Sequence, residues 1–141
     1  MTDVEIKPLN WEPDPEIGYT VTRRPDGGMT YVFSDAKPKT IQHWRDFALE
    51  HLINSDRLTR NLYDLRLVPE VSEEAVQYAI EVNSDPSTRN IRLAVVVANE
   101  AVRQALLEIE ALTTPGGVEL EIFTDIADAE SWLNRPLTLL V

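Results

Sequence analysis

Hydrophobic and polar positions repeat with two different periods along this chain, and the changes of period divide it into elements. Ile17 to Arg23 and Met29 to Ser34 are β-type runs. Between them, Arg24-Pro25-Asp26-Gly27-Gly28 supplies the proline and glycines that a tight turn needs. This predicts a β-hairpin. From about Pro38 or Thr40 to Asn54 the period lengthens. Ile41, Trp44, Phe47, Ala48, His51 and Leu52 recur at three- and four-residue spacing, which places them on one helix face. Arg60 to Leu65 reads as the next strand. Ser72 then stands where an N-cap belongs, followed by Glu73 and Glu74 in the favourable field of a helix start. Val76, Ala79, Ile80 and Asn83 run along one side of that helix, and Asn83-Ser84-Asp85-Pro86 stops it.

Ile91 to Ala98 is apolar except at Arg92, the pattern of a strand covered on both faces. A helix follows with Val102, Ala105, Leu106, Ile109 and Leu112 towards the sheet, then a Pro115-Gly116-Gly117 turn and a strand from Val118 to Phe123. Glu119 and Glu121 alternate with apolar residues in that strand and read as its wet side. A last helix runs through Trp132-Leu133 until Pro136. Strands joined through helices run parallel with right-handed crossovers, and the hairpin adds an antiparallel edge. The expected fold class is therefore α/β: one mixed β-sheet, an N-terminal antiparallel hairpin and then parallel strands, flanked by about four helices. Residues 1–16, with Pro8, Pro13 and Pro15, read as an extended N-terminal arm in which Val4 and Ile6 suit a short edge strand. Residues 17–141 read as a single domain.

Composition removes several classes of function. With 24 acidic residues against 13 basic ones the net charge is −11, the wrong sign for displacing counterions from nucleic acid, so no nucleic-acid partner is expected. The chain has no cysteine, which excludes disulfides and thiolate metal sites. No apolar run approaches the roughly 20 residues of a membrane span. Met1-Thr2-Asp3-Val4-Glu5 lacks the basic start and apolar core of a signal peptide, so a cytoplasmic location is the expectation.

Candidate chemistry is sparse. His43 and His51 are the only histidines, and their spacing on one helix corresponds to about 12 Å of rise, too far to ligate one metal together. His51 shares the apolar stripe and reads as a core-edge residue; His43 reads as exposed. No serine or threonine is paired by spacing with a histidine base, and the carboxylate pairs Glu73/Glu74 and Glu119/Glu121 are ordinary for so charged a chain. No catalytic residue, metal or cofactor is assigned, and the chain is not expected to be an enzyme. Trp44, Phe47, Tyr63 and Trp132 are either plain core or the wall of an apolar pocket. Trp11 and the apolar tail Leu137 to Val141 are candidates for an interface, or for packing back on the same domain.

Three segments carry a family resemblance: Asn61-Leu62-Tyr63-Asp64-Leu65-Arg66, Arg92-Leu93-Ala94-Val95-Val96-Val97, and Val118 to Phe123 running on to Asp128-Ala129-Glu130-Ser131-Trp132-Leu133. In these segments and in the order of its elements over roughly residues 17–134, the chain resembles the SpoIIAA-like, STAS-type superfamily of anti-sigma-factor antagonist domains. More closely, it resembles bacterial proteins described as SpoIIAA-like or STAS/SEC14-like. The resemblance implies a regulatory binding module, in some members switched by phosphorylation of a serine at a helix start. Carried onto this chain, it marks Asp64, Arg66 and Ser72 as an interaction loop. The antagonists' Asp-Ser-Ser-Gly-type turn is replaced here by Val71-Ser72-Glu73-Glu74-Ala75, whose two glutamates already occupy the helix-start field and repel a phosphate. The SEC14-like name implies an apolar ligand between helix and sheet. The expected function is therefore a non-catalytic regulatory or protein-interaction module with an unidentified protein partner. The alternative is a small carrier or sensor of an apolar or lipid-like molecule. Edge strands at the hairpin and the arm further suggest a two-fold homodimer.

Overall fold

Five strands pair in chain order, β1 (Tyr19–Arg23), β2 (Met29–Phe33), β3 (Thr59–Asp64), β4 (Ile91–Val96) and β5 (Val118–Phe123). Only the β1–β2 pairing is antiparallel. Four helices follow the later strands: α1 (Pro38–Leu52), α2 (Glu73–Ser84), α3 (Glu100–Leu112) and α4 (Ile126–Leu133). This computed structural model describes residues 11–12, 14–52, 59–86, 88, 90–114 and 118–135, with the backbone alone at 51 and 52. The arm's Val4 and Ile6, the His51 side chain, the Pro115-Gly116-Gly117 turn, Pro136 and the Leu137–Val141 tail lie outside the described residues. The mixed sheet with an N-terminal hairpin and four helices is the α/β architecture expected from the periodicity.

The hairpin turn closes through Gly27 N–H to the Arg24 carbonyl at 3.0 Å and Arg24 N–H to the Gly28 carbonyl at 2.8 Å, with Gly27 at φ 90°. A left-handed residue after a tight turn matches the twist of the two strands. Gly28 is required for a different reason. A Cβ there would lie 1.6 Å from the Arg60 carbonyl oxygen, so only glycine lets β2 approach β3 at this point.

The parallel crossovers place α1, α2 and α3 on one face of the sheet, over Tyr31, Phe33, Tyr63, Leu93 and Val95. The opposite face carries Leu62, Ala94 and Val96, and among the described helices α4 packs there through Ala129 and Leu133. This explains why β4 is buried at all six positions. It is covered on both sides, as its apolar run required. β5 is an edge, and Glu119 and Glu121 are its exposed positions.

Arginines seat α4. Arg24, 8% exposed at the hairpin turn, places Nη1 and Nη2 at 3.0 and 2.7 Å from the two Glu130 carboxylate oxygens, with Nε at 3.2 Å from Asp26. Arg92, 6% exposed, reaches Glu119 at 3.1 Å, donates to the Arg135 carbonyl at 2.7 Å and lies over the Trp132 ring. Arg60 Nε donates to the Leu133 carbonyl at 2.7 Å. Two guanidinium groups thus engage carbonyls at the end of α4, where the helix dipole favours cations.

Candidate functional site

Beneath α1, α2 and α3 the packing leaves a cavity of about 70 Å³. Its floor is the sheet, at Tyr63, Leu93 and Val95; its walls include Trp44 of α1 and Leu106 and Ile109 of α3. Ala75 and Ala79 line it from α2, one turn apart. Their small side chains on the inward face of that helix leave space that larger residues would fill. Close-packed interiors hold few voids larger than a water molecule, so a cavity of this size is a feature in its own right.

The lining contains one internal polar pair. Trp44 Nε1–H donates to the Tyr63 hydroxyl at 3.1 Å, with both residues buried. Burial raises the Tyr63 phenol well above its ordinary range, and outweighs the opposing effect of the Trp44 donor. The phenol is neutral at any ordinary pH and adds no charge to the cavity.

The β3–α2 loop closes the upper end, since Leu65, Val68 and Val71 line the space. Asn99, the N-cap of α3, holds this loop: its Oδ1 accepts from Val102 N–H at 2.9 Å while its Nδ2 donates to the Val68 carbonyl at 3.2 Å. Asp64 and Arg66 sit at the outer side of the same loop. Arg66 engages both Asp64 oxygens, Nε at 3.0 Å and Nη2 at 2.9 Å, and adds a backbone N–H bond at 3.1 Å. Burial pushes the Asp64 carboxyl up, but these bonds and the Arg66 charge outweigh it and hold it below its ordinary value. Ser72 accepts from Ala75 N–H at 3.2 Å and caps α2. Leu67, between Arg66 and Val68, is 68% exposed.

Of the four aromatics read as pocket candidates, Trp44 and Tyr63 line the cavity. Phe47 is buried on the same face but packs with Trp11, their ring centroids 5.4 Å apart. Trp132 is on the opposite face with Phe123 and Arg92, so one pocket walled by all four does not form. Trp11 packs back on the domain, 4.6 Å from the Tyr19 ring. His43 is exposed, and its Nδ1 is 2.7 Å from the Tyr19 hydroxyl. No group of three or more metal-ligating side chains occurs among the described residues. Nor, among them, is any helix long and apolar enough to cross a membrane.

Sequence reading placed Ala79 along one side of α2 but did not single out Asn99, or the alanine pair as the source of a cavity. Asn99 had a usable signal, because an asparagine directly before a helix is a strong N-cap candidate. Ala75 and Ala79 had none, since alanine on an amphipathic face is ordinary until the neighbouring layers are known.

The class of protein defined by this sheet, with three helices on one face and one on the other, is the SpoIIAA-like α/β fold. A solved structure of an uncharacterized protein from the DUF3478 family of Shewanella loihica, described as having a SpoIIAA-like fold, is similar to this chain at a TM-score of 0.58 and 17% identity. The match covers 82% of this chain and 91% of that one. No protein-family model matches the sequence. No curated protein matches it either. The likeness establishes the fold.

Proposed function

We propose that this chain is a non-catalytic STAS-type binding module whose ligand is a small apolar molecule held between the sheet and α1–α3. The observation that carries this reading is the cavity: mostly apolar walls, one internal hydrogen bond among the described residues, and an upper end closed by a loop. Filling a dry apolar space restores dispersion contacts to its lining, so a ligand of matching size gains affinity without any charged anchor. The non-catalytic part rests on how the polar groups are used. Asp64 is bound by Arg66, Glu119 by Arg92, and His43 lies against the Tyr19 hydroxyl and the Trp11 ring. Native mass spectrometry of protein purified without detergent tests the reading. A bound adduct on the parent protein that is absent from Ala79→Leu supports it; bare masses for both contradict it.

A second reading, a protein partner on the β3–α2 loop, is supported by Leu67, which stands exposed beside the Asp64–Arg66 pair. The two readings are physically connected, because the loop that presents Leu67 also roofs the cavity through Val68. A partner lost on Leu67→Ser while the small-molecule adduct persists would establish a docking role for the loop.

A further inference from the structure

We infer that the ligand is a small neutral molecule with one hydrogen-bond acceptor, of the size and polarity of a short ketone, anchored by the Tyr63 hydroxyl. This rests on the cavity reading above and names the chemistry the site takes. The anchor follows from the hydrogens of one buried pair. An indole N–H is a donor only, so in the 3.1 Å bond between Trp44 Nε1 and the Tyr63 hydroxyl the phenol oxygen is the acceptor. Its own hydrogen is left to donate. Among the described residues no acceptor takes it, although Tyr63 is only 7% exposed. The other two buried tyrosines differ: the Tyr31 hydroxyl donates to the Met29 sulfur at 3.8 Å, and the Tyr19 hydroxyl meets His43 Nδ1 at 2.7 Å.

Trp44 and Tyr63 both line the cavity, so a molecule in that space can accept the hydrogen without displacing an existing bond. A buried donor without an acceptor is costly, and a ligand that supplies the acceptor removes that cost. The lining also sets the charge. None of the described lining residues is acidic or basic, and the phenol itself stays neutral. An ionised ligand would lose its hydration there with no opposite charge to offset the loss. A pure hydrocarbon fills the space but leaves the hydroxyl unpaired. Volume sets the size. The cavity, at about 70 Å³, is near half the ~150 Å³ that takes up a benzene molecule, which suits about four non-hydrogen atoms. Acetone meets all three demands.

The test is an NMR titration of isotope-labelled protein near neutral pH with acetone, isobutene and acetate, three probes of one shape. The expected result is saturable shifts of the Val95 and Ile109 methyls with acetone and isobutene, and none with acetate. Tyrosine labelled at Cζ reads the anchor directly: the Tyr63 signal should move further with acetone than with isobutene. A second readout removes the hydroxyl. In a Trp44→Phe background, which has no indole to take over as donor, Tyr63→Phe should lower the affinity for acetone relative to isobutene by about fivefold. A ratio unchanged by that substitution, or a Tyr63 signal that responds equally to the two probes, overturns the anchor and leaves the cavity reading standing. Acetate binding as tightly as acetone overturns the neutral ligand. No cavity shift from any of the three probes overturns both the ligand and the cavity reading.

Discussion

Trp44 and Tyr63 meet inside the wall of the cavity, the indole N–H donating to the phenol oxygen at 3.1 Å with both side chains buried. The bond ties α1 to β3 across the layer from which the cavity is cut. Tyr63→Phe leaves the Trp44 donor buried and unpaired, which costs about 1–3 kcal/mol. Urea unfolding should register that loss. A change within error would mean that the indole finds another acceptor.

Gly28→Ala should be severe. Its new Cβ would lie 1.6 Å from a backbone oxygen of β3, which cannot move without breaking the β2–β3 pairing. A loss of about 3 kcal/mol or more is expected, at the upper end for a single substitution. Chemical denaturation of the variant measures it.

The Asp64–Arg66 pair gives a pH dependence with a defined sign. The folded carboxyl is held below its ordinary value of 3.8. Its contribution to stability is therefore present above that value and lost as pH falls through the lower folded one. In Arg66→Ala the larger effect of burial is opposed only by the backbone N–H of residue 66, and the carboxyl should titrate above 3.8 instead. Carbon-detected NMR of the side chain follows the change directly. An unmoved titration would show that the arginine does not govern this carboxylate.

The tyrosines set the alkaline limit. Burial raises the phenols of Tyr19, Tyr31 and Tyr63 above their ordinary values, so each favours the folded state below about pH 10 and disfavours it as pH rises further. Phenolate absorbance of these three should appear together with loss of near-ultraviolet circular dichroism. Ionisation of all of them in a still-folded protein would contradict their burial.

The fold was legible because its signals are local. The alternation on either side of Pro25-Asp26-Gly27, the stripe from Ile41 to Phe47 and the unbroken run from Ile91 each report burial of their own segment. Ser72 in turn predicted its own capping bond. The arginines were not legible. Arg24 is satisfied by Glu130, which lies 106 positions away, and no periodicity joins two such residues. The face of Trp132 was equally hidden, since a terminal helix packs on whichever side the earlier crossovers leave open. The cavity was legible only in half, through Trp44 and Tyr63. Its volume depends on Ala75 and Ala79, whose meaning comes from what stands opposite them.

The most direct measurement is methyl NMR of the protein under xenon pressure, because xenon enters dry apolar cavities without needing a polar partner. The account predicts saturable shifts confined to methyls that line the cavity, Leu93, Val95, Leu106 and Ile109, and their loss in Ala79→Leu. Shifts scattered over the surface, or none at these four residues, would contradict it.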